Sequence, residues 1–83
     1  MKVTVKYFAG IREALGCAQE QRDTKTATLG QLRDELIARG GAYSDALARG
    51  KAVRLALNQV MSDEAAALTD GAEVAFFPPV TGG

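Results

Sequence analysis

Few side chains in this 83-residue sequence could carry out covalent chemistry. It contains no histidine, which removes the commonest general base, the usual partner of a catalytic serine or cysteine, and the commonest metal ligand. A single cysteine, Cys17, is too few for a zinc site. The only serines are Ser44 and Ser62, and neither lies in a GxSxG turn. We therefore expect neither a metal site nor an enzyme that acts alone.

Cys17 is interpreted as a small apolar side chain rather than a reactive thiol. One cysteine cannot form an internal disulfide, which is typical of a protein from a reducing compartment. The sequence places no evident helix end or basic cluster beside it that would activate the thiol. We expect Cys17 to be dispensable for function.

Charge and length limit the class of protein further. Ten Lys and Arg residues balance ten Asp and Glu residues, so there is no basic excess for nucleic acid or for an anionic membrane surface. The apolar runs are too short to span a bilayer, and no secretory signal is evident. With 83 residues there is room for one domain, and we expect it to be cytoplasmic.

The C-terminal segment FFPPVTGG combines residues with special backbone properties. Pro78 and Pro79 fix φ and cannot donate to a sheet, so they end the last strand and favour an extended chain. Gly82 and Gly83 lack Cβ, which would let them enter a narrow channel. Six extended residues span about 20 Å. The sequence thus predicts a domain over 1–77 and an extended tail over 78–83.

Strands are predicted where apolar and polar residues alternate. The clearest are KVTVKYF (2–8), VRLALNQ (53–59) and the EVAFF that follows the Asp70-Gly71 turn. AQEQRDTK is expected to form an edge strand, and VMS a brief strand.

The segment TLGQLRDELIARGG predicts the one main helix. Thr28 is expected to cap its N-terminus, with Gln31 completing a capping box. Glu35 and Arg39 are expected to form an ion pair on its exposed side. The element order predicts an α+β fold in which a mixed sheet of four to five strands packs on this helix, with the first and last strands paired in parallel.

Side-chain parity predicts an apolar patch on the outer face of the sheet. Phe8 has the parity of Lys6, and Phe77 has that of Ala75, so both rings should face away from the core. Met61, in the short strand, could join them. Clustered apolar side chains on a small protein typically mark a partner site, so these three residues are predicted to form an interface.

The sequence resembles the small subunits of molybdopterin synthase, the MoaD-like sulfur carriers. The resemblance covers the whole chain and is strongest in LTDGAEVAFFPPVTGG, with further similarity in VKYFAGIREALG and ALNQ. It implies the β-grasp, ubiquitin-like fold, in agreement with the element order.

The resemblance also implies that the reactive group is the C-terminal carboxylate of Gly83. In these carriers an activating enzyme uses ATP to adenylate that carboxylate, and a sulfur donor then converts it to a thiocarboxylate. The sulfur passes to a pterin precursor inside the large subunit, for molybdenum cofactor synthesis. The residues implied to thread into the partner's active site are Pro78, Pro79, Val80, Thr81 and Gly82.

The implied protein is a non-catalytic, sulfur-donating subunit of a sulfurtransferase that binds no cofactor itself. Its implied partners are the activating enzyme and the large subunit, the latter in a heterotetramer of two small and two large subunits. Three alternatives remain open: a sulfur carrier for thiamine or cysteine synthesis, a ubiquitin-like modifier joined to lysines through Gly83, and an interaction domain with an inert tail.

Overall fold

The computed structural model describes residues 1–79 and shows a five-stranded mixed sheet with three helices. The elements in chain order are β1 (Lys2–Tyr7), α1 (Ala9–Leu15), β2 (Gln19–Asp23), α2 (Leu29–Ile37), α3 (Gly41–Ala46), β3 (Arg54–Leu57), β4 (Val60–Ser62) and β5 (Glu73–Phe77).

The first and last strands lie side by side in the sheet, whose order is β2-β1-β5-β3-β4. β1 and β5 run parallel, and the other neighbouring pairs are antiparallel. The predicted parallel pair and the predicted edge strand β2 are therefore confirmed. This mixed sheet with a helix packed on one face is the arrangement of the β-grasp fold.

Helix α2 begins where the sequence predicts. The Thr28 hydroxyl accepts a hydrogen bond from the Gln31 N–H at 3.2 Å, as expected of an N-cap. The Gln31 side chain reaches back one residue further than in a standard capping box, and accepts from the Ala27 N–H at 2.8 Å. After α2 ends, Gly40 and Gly41 adopt φ of 76° and 57°, which glycine tolerates best, and turn the chain into α3.

The core lies between one face of the sheet and the helices. Its largest fully buried side chains include Tyr7 and Phe76 from the central strands and three leucines of α2: Leu29, Leu32 and Leu36. Tyr7 and Phe76 stack with ring centroids 6.2 Å apart. Because alternate strand residues point to opposite faces, the same strands present a second, outer face, which none of the helices within residues 1–79 covers.

The predicted pair of Glu35 with Arg39 is wrong. Glu35 Oε2 instead lies 2.8 Å from Arg22 Nε, and Arg39 Nη1 lies 2.7 Å from Glu20 Oε1. Both partners are on β2, so these pairs tie that edge strand to α2 and to the segment that follows it. In an isolated helix, a charged side chain can pair only with another side chain of the same helix. In the folded protein, the charged side chains of β2 lie close enough to form ion pairs with Glu35 and Arg39 instead.

None of the helices within residues 1–79 is long and apolar enough to cross a membrane.

Candidate functional site

The site is built where the parallel strands β1 and β5 end together. Phe8 follows β1 directly, and its N–H donates to the Phe76 carbonyl at 3.1 Å. The strands β1 and β5 therefore stay paired as far as Phe8. Phe77 is the last residue of β5, and Pro78 and Pro79 follow it. The tail therefore leaves the domain beside Phe8.

Phe8 and Phe77 contact each other on the outer face of the sheet. Their ring centroids are 6.2 Å apart and their planes are almost perpendicular, an edge-to-face geometry that aromatic pairs favour. Phe8 is 43% exposed and Phe77 is partly buried. The predicted outward facing of both rings is confirmed.

Met61 lies on the same face, across the sheet from this aromatic pair. It stands opposite Ala56 of β3, which in turn stands opposite Ala75 of β5. Met61 is 54% exposed. Ala56 and Ala75 are buried, because their side chains are short and lie below the level of the larger side chains around them. We call Phe8, Phe77 and Met61, with these two alanines, the outer-face patch.

The border of the outer-face patch is polar. Lys6 Nζ lies 3.1 Å from Glu73 Oε1, so these two charges partly neutralise each other beside the patch. The Asn58 side chain accepts from the Glu73 N–H at 2.9 Å and holds the turn before β4 against β5. Asn58 and Gln59 both adopt positive φ, at 51° and 69°, as in the tight turns that connect hairpin strands. An apolar centre with a polar border is the usual composition of a protein interface.

A shallow apolar pocket of about 170 Å³ borders Pro78, the first residue of the tail. It is lined by α1, by Ala46 of α3, by residues 51–53 and by Pro78. The buried Arg33 of α2 shapes this region, since its guanidinium donates to the carbonyls of Leu47, Ala48 and Lys51 at 2.8, 2.7 and 3.2 Å. Burial lowers the pKa of Arg33. Besides these three carbonyls, its guanidinium has one carboxylate partner, because Nη1 donates to Glu64 Oε2 at 3.2 Å.

The predicted tail lies mostly beyond the part of the chain that the structure describes. Pro78 and Pro79 are described and partly buried. Val80, Thr81, Gly82 and Gly83 lie outside the described residues, so the predicted role of the Gly83 carboxylate stays a prediction. The end of β5 at Phe77 coincides with the predicted start of the tail at residue 78.

A network around Glu20 is not anticipated by the sequence pattern. Glu20 Oε2 accepts from the hydroxyls of Tyr43 and Tyr7 at 2.7 and 3.1 Å, and its Oε1 accepts from Arg39. Burial opposes ionisation of Glu20, but the hydrogen bonds from Tyr43, Arg39 and Tyr7 outweigh it and lower the pKa of Glu20. The pKa of Tyr7 is raised, mainly by burial and next by the charge of Glu20. The pKa of Tyr43 is raised to about 12, mainly by burial and next by the hydrogen bond to Glu20.

This network is structural rather than catalytic. It joins β2, β1 and α3 at one end of the core, and both carboxylate oxygens of Glu20 accept hydrogen bonds from side chains of this chain. Cys17 lies beside it, partly buried against the core, with Sγ 3.9 Å from Glu20 Oε2. This packing against the core supports the interpretation of Cys17 as a packing residue.

Comparison with known proteins extends over the whole chain. The molybdopterin synthase sulfur carrier subunit of Escherichia coli strain K12 is 40% identical over 81 residues, which cover 98% of this chain and 99% of that protein. SAMP1 of Haloferax volcanii, a small archaeal modifier protein, superposes with a TM-score of 0.78 at 28% identity, covering both chains completely. The complex of subunits 1 and 2 of molybdopterin-converting factor from Helicobacter pylori contains a chain that superposes with a TM-score of 0.69 at 28% identity, again over 100% of both.

A sequence model of the ThiS family matches residues 5–83, from the first strand through the terminal glycines. Together with the relative that is 40% identical over nearly the full length, this match shows that the chain belongs to the ThiS family.

Proposed function

We propose that this chain is the sulfur carrier subunit of molybdopterin synthase, and that it carries sulfur as a thiocarboxylate on Gly83. The observation that carries the proposal is the 40% identity with the Escherichia coli subunit of that name over 98% of this chain. The reactive group is then the main chain itself, which explains how a protein without histidine takes part in a sulfur transfer.

The geometry at the root of the tail supports this role. A carrier must hold its terminal carboxylate inside a partner while its folded domain stays outside, and six extended residues allow about 20 Å for this. The outer-face patch borders the point where the tail leaves. Docking through Phe8, Phe77 and Met61 would therefore fix both the position and the direction of the tail.

The docking partner in this proposal is the large subunit of the synthase. The relevant neighbour is the Helicobacter pylori complex, which joins subunits 1 and 2 of molybdopterin-converting factor. Two small and two large subunits would form the assembly, and an activating enzyme that uses ATP would load the tail beforehand. This chain supplies the carboxylate, and its partners supply the acids, bases and nucleotide site.

The test is to change the terminus without changing the domain. Deletion of Gly83, or addition of one residue after it, should abolish sulfur transfer in an assay with purified large subunit and activating enzyme. The fold should be retained, because the change lies beyond the last strand. Product formation by the deletion variant at the wild-type rate would overturn the mechanism.

A second candidate function is attachment to other proteins, favoured by the similarity to SAMP1, a modifier protein. Both functions begin with adenylation of the terminal glycine, and they differ in what accepts the acyl group. Intact mass after incubation with ATP, activating enzyme and a sulfur donor separates them. Replacement of one oxygen by sulfur supports the carrier, whereas covalent conjugates with lysine side chains support the modifier.

A further inference from the structure

We propose that the edge strand β4 pairs with an extended strand of the large partner subunit, through the backbone N–H and C=O of Met61. This inference rests on the proposed function and adds a main-chain contact to the side-chain contacts of the outer-face patch. It is carried by two features of the sheet: the unequal composition of its two edges, and the direction in which the Met61 backbone points.

The two edges of the sheet differ in how they are protected. The strand β2 has the sequence QEQRD, and its charged side chains discourage pairing with another strand. The strand β4 has the sequence VMS, with no charge and no proline, and Val60 and Met61 are 65% and 54% exposed. Soluble proteins protect an exposed edge by making the strand short, or with charges, proline or a bulge. β4 is short, but its two exposed side chains are apolar, and clustered apolar side chains on a surface point to a partner that covers them.

The hairpin register shows which backbone groups of β4 face outward. The Asn58 N–H donates to the Glu73 carbonyl at 2.8 Å, so the backbone of Asn58 points toward β5. Backbone direction alternates along a strand, and Ala56 therefore also points toward β5 and away from β4. Met61 is the residue opposite Ala56, so its N–H and C=O point away from β3, to the open edge.

The shortness of β4 sets the size of this contact. Three residues leave one outward-facing residue, which offers one donor and one acceptor. That is too little to template repeated strand addition, but enough to fix the register of one partner strand. The Met61 side chain belongs to the outer-face patch, so one partner can occupy the patch and the edge together.

A second copy of this chain would fit these observations less well. If two copies paired through their β4 strands about a twofold axis, the second domain would lie beyond the edge of the sheet rather than across its outer face. Adjacent strands are about 4.8 Å apart, so side chains two or three strands away from β4 would lie far from that second domain. Phe77 lies two strands inward from β4, and Phe8 lies three strands inward. Both rings would stay exposed in such a dimer, whereas a partner lying across the face covers rings and edge together.

The test separates the Met61 backbone from its side chain. Met61→Ala removes the side chain and keeps the N–H, whereas Met61→Pro removes both. Proline is tolerated at an edge position whose N–H faces outward, so both variants should fold. Titration calorimetry with the purified large subunit should show binding by Met61→Pro at least about fivefold weaker than by Met61→Ala, the loss expected for one backbone hydrogen bond.

The protected edge offers a matched control. Tyr7 N–H donates to the Ala18 carbonyl, and Thr24 N–H donates to the Met1 carbonyl, so by alternation the Gln21 N–H faces outward from β2. Gln21→Pro should bind the large subunit as wild type does. Amide exchange on the wild-type protein gives an independent measurement: the Met61 amide should exchange rapidly in the free chain and become protected in the complex.

Equal affinities of Met61→Pro and Met61→Ala, with an unprotected Met61 amide in the complex, would overturn the inference. The proposed function would survive that result if Phe77→Ala still weakens binding and Gly83 deletion still abolishes transfer. If sedimentation shows a dimer of the isolated chain that Met61→Pro dissociates, while affinity for the large subunit is unchanged, the edge binds a second copy and the inference is wrong.

Discussion

Phe76 and Phe77 are consecutive residues on one strand, and they belong to two different surfaces. Phe76 is fully buried and stacks on Tyr7 in the core, whereas Phe77 meets Phe8 on the outer face. The inner face is covered by helices and closes the domain. The outer face has no cover from this chain within residues 1–79, although it carries side chains of the same chemical kind.

This difference separates stability from recognition within a five-residue strand. A truncation on the inner face leaves a cavity, because the surrounding residues are fixed by their own packing. A truncation on the outer face removes area that only a partner buries. A substitution of Phe76 should therefore lower the free energy of unfolding, whereas a substitution of its neighbour Phe77 should lower the affinity for a partner.

The largest effect is expected for Phe76→Ala. The ring is 0% exposed, and loss of a buried phenylalanine costs about 3–5 kcal/mol of the free energy of unfolding. Denaturant titration measures this change. A loss of less than about 1 kcal/mol would contradict the inward assignment of Phe76.

Phe77→Ala should instead affect binding. Aromatic residues near the centre of an interface commonly dominate its free energy, and we expect affinity for the large subunit or the activating enzyme to fall at least about tenfold, or 1.4 kcal/mol. Titration calorimetry measures it, and a melting curve should show a much smaller loss than for Phe76→Ala. If Phe77→Ala unfolds the protein while Phe76→Ala does not, the two faces are inverted.

A smaller effect, confined to acid, is expected for Glu20→Gln at the margin of the inner face. The pKa of Glu20 is lowered below its ordinary 4.5, so its carboxylate stabilises the fold above that pH. The advantage of wild type over Glu20→Gln should shrink as the pH falls through the lowered pKa of the native state. Melting curves from neutral pH to about pH 3 test this. A difference that stays constant over this range would show that Glu20 does not titrate with folding.

Cys17→Ser should have the smallest effect of all. A terminal thiocarboxylate needs no second thiol on the same chain, and Cys17 is only partly buried. Sulfur loading and turnover should stay near the wild-type values. A folded variant that no longer accepts sulfur, detected by intact mass, would assign Cys17 a role in relay.

Local patterns predict those features that depend on neighbours in sequence. Alternation assigns Phe8 and Phe77 to one face, and the Thr28 cap follows from side chains within one helical turn. Arg33 shows the limit of such patterns. Arginine is seldom fully buried, and this one is 3% exposed because it donates to carbonyls 14 to 18 residues away.

The Glu20 network has the same origin. Its tyrosines come from positions 13 residues before and 23 residues after Glu20, and no periodicity connects them. The pairing of Arg39 with Glu20 rather than Glu35 depends on how β2 lies against the helices, which only the assembled fold determines. Polar contacts between residues distant in sequence, such as these, surround the core and cannot be predicted from local patterns. The face of the sheet on which each strand residue lies can be predicted from the alternation of apolar and polar residues.

The parallel pairing of β1 with β5 also has a consequence for synthesis on the ribosome. The hydrogen bond from the Lys2 N–H to the Asp70 side chain joins residues 68 apart, and the central pair of strands cannot form until β5 has been made. Folding through such distant contacts is slow compared with folding of local helical structure. A nascent chain that stops before Glu73 lacks a central strand of its sheet. Native structure is therefore expected only in molecules that already carry the strand leading into the tail, and incomplete chains would be left unfolded and open to proteolysis.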